Sequence, residues 1–178
     1  MSKARAVQLG ALVGGMMVTL AAAANVGPMT RPDSAPYVAA GTPEEAGRYL
    51  VIVGQCNDCH TPGWAESNGE TPEARWLTGV DVGFRGPWGT SYPANLRITA
   101  QGYTEDAFVA RLQAGVGLPP MPWMNVRQWR EEDMRAVYRF IRSLGPTGAP
   151  APAAVPPGVE PDTPYILFEP VAPTHRGR

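Results

Sequence analysis

The sequence predicts a small, mainly α-helical domain with long loops. Apolar residues recur at helical spacing at both ends of the stretch 42–145, and nowhere does the chain alternate with a strand period. Composition separates the flanks from this domain. Residues 25–41 are rich in Pro, Ala and Gly, and Pro dominates beyond residue 145. The expected layout is a signal segment at 1–24, a linker at 25–41, the folded domain at 42–145 and a Pro-rich extended tail at 146–178.

Taken in order, Lys3 and Arg5 precede an apolar stretch from Leu9 to Leu20 and a run of alanines from Ala21 to Ala24. This is the pattern of a secretory signal with a small-residue cleavage end. An uncleaved membrane anchor is the alternative, although the apolar run is shorter than the roughly 20 residues a span requires. Either reading exports the remainder, in a bacterium to the oxidising periplasm. Membrane contact is expected only if the segment stays attached.

Thr42-Pro43-Glu44-Glu45 supplies an N-cap, a proline in the first turn and a capping-box glutamate, so a helix begins there. Ala46, Tyr49, Leu50 and Val53 would form its apolar face. Gly47 interrupts that helix, and its expected use is the close approach of a second helix. A middle helix opens at Thr104-Glu105-Asp106, carries Phe108 and Leu112, and stops at Gly115. The last helix opens on the acidic turn Glu131-Glu132-Asp133 and buries Met134, Val137, Tyr138, Ile141 and Leu144. Arg135, Arg139 and Arg142 fall on its opposite side, and Gly145-Pro146 ends it.

Between the first two helices lies Cys56-Asn57-Asp58-Cys59-His60, the Cys-x-x-Cys-His run that attaches haem covalently. Each thiol can bond one vinyl arm of the porphyrin, and the adjacent imidazole is then held beneath the iron. The run uses both cysteines of the chain and one of its two histidines. A thiol–disulfide pair would want a βαβ setting that is absent, and zinc would need further ligands, whereas the other histidine, His175, lies in a polar tail. One haem c is therefore the expected cofactor. A domain this small buries little by itself, so the porphyrin is expected to complete its core.

These residues together resemble a class I, mono-haem c-type cytochrome. Such domains have an N-terminal helix leading to the attachment motif, a loop-rich middle, a methionine in a Pro-containing loop and a C-terminal helix crossing the first. Pro120-Met121-Pro122-Trp123, followed by Glu131-Glu132-Asp133-Met134, is similar to the haem subunits of periplasmic sugar and alcohol dehydrogenase complexes. The resemblance implies a cytochrome c-like helical domain wrapped around the haem, with His60 and Met121 as the axial ligands of iron. Met124 stands three residues further along and is the competing ligand; the prolines flanking Met121 restrict its backbone and favour it. Where such subunits carry Ser or Thr before the last helix, this chain has Arg130, which cannot accept an amide proton.

Residues 84–98 are expected to cover the rest of the haem. Propionates must be solvated or paired when enclosed, which makes Arg85, Trp88, Tyr92, Asn95 and Arg97 candidate donors. A His/Met ligand set leaves no open site for dioxygen or peroxide and raises the reduction potential. The function implied is single-electron transfer from a dehydrogenase to a respiratory acceptor, without catalysis by the chain itself. A haem enzyme or gas sensor would need an open sixth position. Apart from Lys3 every basic residue is Arg, and the formal net charge is −1, so there is no support for nucleic-acid binding. Finally, the apolar run Tyr165-Ile166-Leu167-Phe168 should not stand free in water. It is expected to pack on its own domain, a partner subunit being the rival surface.

Overall fold

The structure, a computed structural model, describes residues 38–170. The signal or anchor segment, nearly all of the 25–41 linker, and His175 lie outside the described residues. Helix α1 (Pro43–Val53) starts with the expected reciprocal cap. The Thr42 hydroxyl accepts from the Glu45 amide at 3.1 Å, and the Thr42 amide donates to the Glu45 carboxylate at 3.0 Å. Its buried face is Ala46, Gly47, Leu50 and Val51, while Tyr49 and Val53 are 54% and 52% exposed. The face is thus turned from the one the apolar spacing indicates.

Gly47 explains the turn. Helix α1 packs most extensively against helix α6 (Glu131–Ser143), and a Cβ on Gly47 would lie 2.0 Å from the Ala136 carbonyl oxygen and 2.8 Å from Phe140 Cβ. Backbone meets backbone there, so Gly47 has the close-approach role expected of it. Helix α6 buries Met134, Val137, Tyr138 and Ile141, together with Asp133, Ala136 and Phe140. Arg130 makes no side-chain cap, and the acidic first turn stands against the helix dipole instead.

The remaining α-helices among the described residues are α2 (Cys56–His60), α3 (Leu96–Thr99), α4 (Glu105–Ala114) and α5 (Trp123–Val126). Helix α4 is capped by the Thr104 hydroxyl and ended by Gly115 at φ +58°, and it buries Phe108 and Val109. The arginines of α6 bind it. Arg135 bridges Glu105, Asp106 and Glu131, while Arg139 joins Glu105 at 2.9 Å. Hydrogen bonds from Arg139 and then Arg135 hold the Glu105 carboxyl below the usual carboxylate range.

A three-stranded sheet of order β2-β1-β3 lies on the loop side, where the sequence shows no strand period. Strand β1 (Gly83–Gly86) pairs antiparallel with β2 (Gly89–Ser91), Arg85 opposite Thr90. Strand β3 (Tyr165–Leu167) pairs parallel with β1, Phe84 opposite Ile166. The tail therefore docks on its own domain. Its approach is close: Thr90 and Val155 exchange backbone hydrogen bonds of 2.8 and 2.9 Å, and a Cβ on Gly89 would meet the Val155 carbonyl oxygen at 2.2 Å. Each strand has only three or four residues and β1 is bounded by glycines, so no alternation can develop in the sequence.

Candidate haem-attachment site

Gly54 and Gln55 join α1 to α2 in a tight turn. Gln55 sits at φ 59°, and a Cβ on Gly54 would lie 2.6 Å from both the Leu50 carbonyl oxygen and the Trp129 ring. The turn places Cys56, Cys59 and His60 on one short helix, with the thiols three positions apart and hence on one side. Both thiols are half-buried and unbridged. Burial pushes the Cys56 thiol up to about 12 and also raises Cys59, with the Asp58 charge adding to each. A dithiol exchange motif needs the opposite, a thiolate stabilised near neutral pH. Among the described residues no three His, Cys, Asp or Glu side chains gather into a group that could hold a metal ion.

His60 is buried, and its Nδ1 lies 2.7 Å from the carbonyl oxygen of Ala94. A carbonyl only accepts, so the proton of the neutral ring sits on Nδ1 and the Nε2 lone pair is left for a metal. Burial keeps the ring neutral by lowering its proton affinity, against a smaller opposing effect of the Ala94 carbonyl. The backbone is fixed as well, because the Gly79 amide donates to the His60 carbonyl at 2.8 Å. Next to it, the Leu77 amide donates to the Thr61 hydroxyl at 2.8 Å, which donates to Asn57 Oδ1 at 2.7 Å. Two thiols on one helical side and an imidazole of fixed tautomer fit a covalently held haem.

Met121 follows a cis Pro119-Pro120 peptide and is half-buried, whereas Met124 is 70% exposed. The methionine loop is tied to the sheet, the Ser91 hydroxyl donating to the Pro119 carbonyl, and the Arg111 guanidinium lies 5.1 Å from the Trp123 ring centroid. The candidate propionate donors divide sharply. Arg85 is committed to the tail, pairing with Glu160 and lying over the Tyr165 ring. Tyr92 shares a 2.7 Å hydrogen bond with the Thr163 hydroxyl. Asn95 caps α3 through Oδ1 and donates Nδ2 to the carbonyls of Thr147 and Ala149. Arg97 is buried and donates to the carbonyls of Ala74, Leu144 and Gly145.

In this structure these four side chains bond within the chain, to the tail, to Ala74 and to the end of α6. An isolated guanidinium or amide in the sequence carries no mark of the backbone carbonyls that will claim it. Of the five candidates, Trp88 alone retains an indole N–H that is buried and without a partner. The Trp123 N–H is in the same condition and was not among the expected donors. Missed too was the Ala94 carbonyl, for which a sequence offers no signal.

The chain matches no described protein family and no solved structure. Among described proteins it is similar to a nicotinate dehydrogenase subunit from Pseudomonas putida, at 27% identity over 154 residues, covering 81% of this chain. The chain spans only 12% of that relative's length. Within those bounds, the similarity connects most of this sequence to a stretch of a dehydrogenase subunit.

Proposed function

We propose that this chain carries one haem c on Cys56 and Cys59, with His60 and Met121 as axial ligands, and passes single electrons between a dehydrogenase and a respiratory acceptor in the periplasm. The observation that carries the reading is the hydrogen bond from His60 Nδ1 to Ala94, which leaves the Nε2 lone pair for a metal on the same short helix that carries two unbridged thiols. When bound, the haem supplies reversible one-electron chemistry at iron, and the protein contributes burial, orientation and a docking surface. The half-buried position of Met121 against the exposed Met124 favours Met121 as the second ligand. Similarity to a dehydrogenase subunit supports a place in an oxidoreductase complex, as a subunit or as a partner protein.

Optical spectra of the purified protein, ferric and ferrous, with and without carbon monoxide, test this. Wild type should show a sulfur-to-iron charge-transfer band that is lost in Met121→Ala and kept in Met124→Ala, and it should not bind carbon monoxide. A wild-type protein that lacks the band and binds carbon monoxide has an open sixth position, and a haem enzyme or gas sensor then replaces the electron carrier.

A further inference from the structure

The C-terminal tail and the histidine are joined through one residue. Asn95 is buried, and its amide is fully engaged: Nδ2 donates to Thr147 at 2.8 Å and Ala149 at 3.1 Å, while Oδ1 accepts from the Ile98 amide at 3.1 Å. The residue immediately before it supplies the carbonyl that holds His60. On the other side the same backbone rests on Gly79, at φ +80°, where a Cβ would lie 2.7 Å from the Asn95 nitrogen and 3.0 Å from the Pro93 oxygen. Gly79 is itself bonded to the His60 carbonyl. The Ala94 carbonyl is thus clamped between a glycine fixed to the histidine and an amide fixed to the tail.

We propose that Asn95 is a positioning residue: by gripping the tail turn 147–149 it sets the Ala94 carbonyl against His60 Nδ1, and the docked tail thereby tunes the electron-donating strength of the imidazole. The inference deepens the haem reading and rests on it for its redox consequence. A carbonyl accepting from the far nitrogen of a ligating imidazole makes the ring a stronger donor, which stabilises the ferric state. Loosening the tail should weaken that bond and raise the midpoint potential. Four points of tail contact converge on this region: the Asn95 amide, the Thr90–Val155 bridge, the Tyr92–Thr163 hydrogen bond and the β1–β3 pairing.

The test uses full-length protein labelled with 15N-histidine and isolated with its haem, as wild type, Asn95→Asp and Gly148→Ala. His60 and His175 are the only histidines, so the spectrum has few signals to assign. Asn95→Asp keeps an acceptor for the α3 cap but turns a carboxylate toward two carbonyl oxygens. Gly148→Ala leaves residues 93–96 unaltered and strains a tail residue at φ +78°, whose Cβ would press to 3.2 Å from Asn95 Nδ2.

Wild type should carry its His60 proton on Nδ1 with slow exchange. Both variants should exchange that proton roughly five- to tenfold faster, as expected for losing the support of one hydrogen bond. Gly148→Ala, which adds no charge, should also have a higher midpoint potential. The proposal is overturned if protease cuts the 147–149 turn faster in either variant while His60 exchange and potential stay at wild-type values. Should wild type hold no haem, the haem reading fails separately. The tautomer and exchange comparison still decides the positioning role, because the Nδ1 bond does not involve the metal.

Discussion

The crossing of α1 and α6 and the hairpin-and-tail side of the molecule are built on different physical principles. At the crossing, Ala46, Leu50, Val51, Val137, Phe140 and Ile141 are packed out of water around the contact between Gly47 and Ala136. On the other side the apolar residues of β3 stay largely accessible, Ile166 at 50%, and order comes from directed hydrogen bonds to backbone carbonyls. Packing tolerates modest changes of shape, whereas a directed bond either meets its acceptor or leaves it orphaned. The side held by directed bonds is also the one that orients His60. The histidine is thus positioned by the part of the fold with less apolar burial.

The comparison is broken most severely at the crossing. Phe140 is buried and meets Trp76 edge to face at a centroid distance of 6.2 Å. Phe140→Ala should lower unfolding stability by about 3–5 kcal/mol, measured by denaturant titration. On the opposite side, Arg97→Met keeps an unbranched apolar stem but strips donors from three carbonyls. The expected loss is about 2 kcal/mol in the same titration, and a loss below about 0.5 kcal/mol would mean that water replaces the guanidinium without cost.

A smaller effect separates charge from packing in the contact of α4 with α6. The Glu105 carboxyl titrates below its ordinary value of 4.5, so its contribution is present in full above that value and disappears as pH falls through the lower, folded value. Glu105→Gln should cost about 1 kcal/mol at neutral pH, and the difference from wild type should vanish in acid. Stability that fell equally for both proteins through the acid range would remove Glu105 from the account. Smallest of all, Ile166→Ser should change stability by no more than about 0.5 kcal/mol, because β3 is held through its backbone and the side chain is already half in water.

The two sides were also unequally legible in the sequence. At the crossing, a capping box, an apolar period and one misplaced glycine are side-chain signals, and Thr42, Glu45, Gly47, Met134 and Ile141 all do in the structure what their types suggest. Even there Tyr49 and Val53 were misread, since helical spacing alone cannot choose between two overlapping apolar faces. The arginines of α6 read as an outer face, and only the structure reveals that Arg135 and Arg139 fasten α4 through Glu105.

At the candidate site, Cys56, Cys59 and His60 stand out in the sequence because their motif is local. The partner of His60 does not, because Ala94 acts through a backbone oxygen available at every position in the chain. Arg85, Tyr92, Asn95 and Arg97 read in the sequence as donors to haem propionates, whereas the structure shows each with partners inside the chain. Those partners include Glu160 for Arg85, Thr147 for Asn95 and Gly145 for Arg97, which lie 75, 52 and 48 residues away in segments of irregular backbone. A donor's identity is written in its own letter, but its acceptor is decided by topology.

The parallel pairing of β1 with β3 has a practical consequence for anyone choosing where to end a recombinant fragment. Composition invites a cut after Gly145, where the last helix stops and proline takes over. Such a cut would strip one flank from the central strand and expose Phe84 and Arg85 as an open ribbon edge, the kind of edge along which polypeptides stick to one another. The tidy boundary is a trap. A fragment that runs through Phe168 keeps β1 paired on both flanks, and the shorter one should be recovered from cells largely as aggregate.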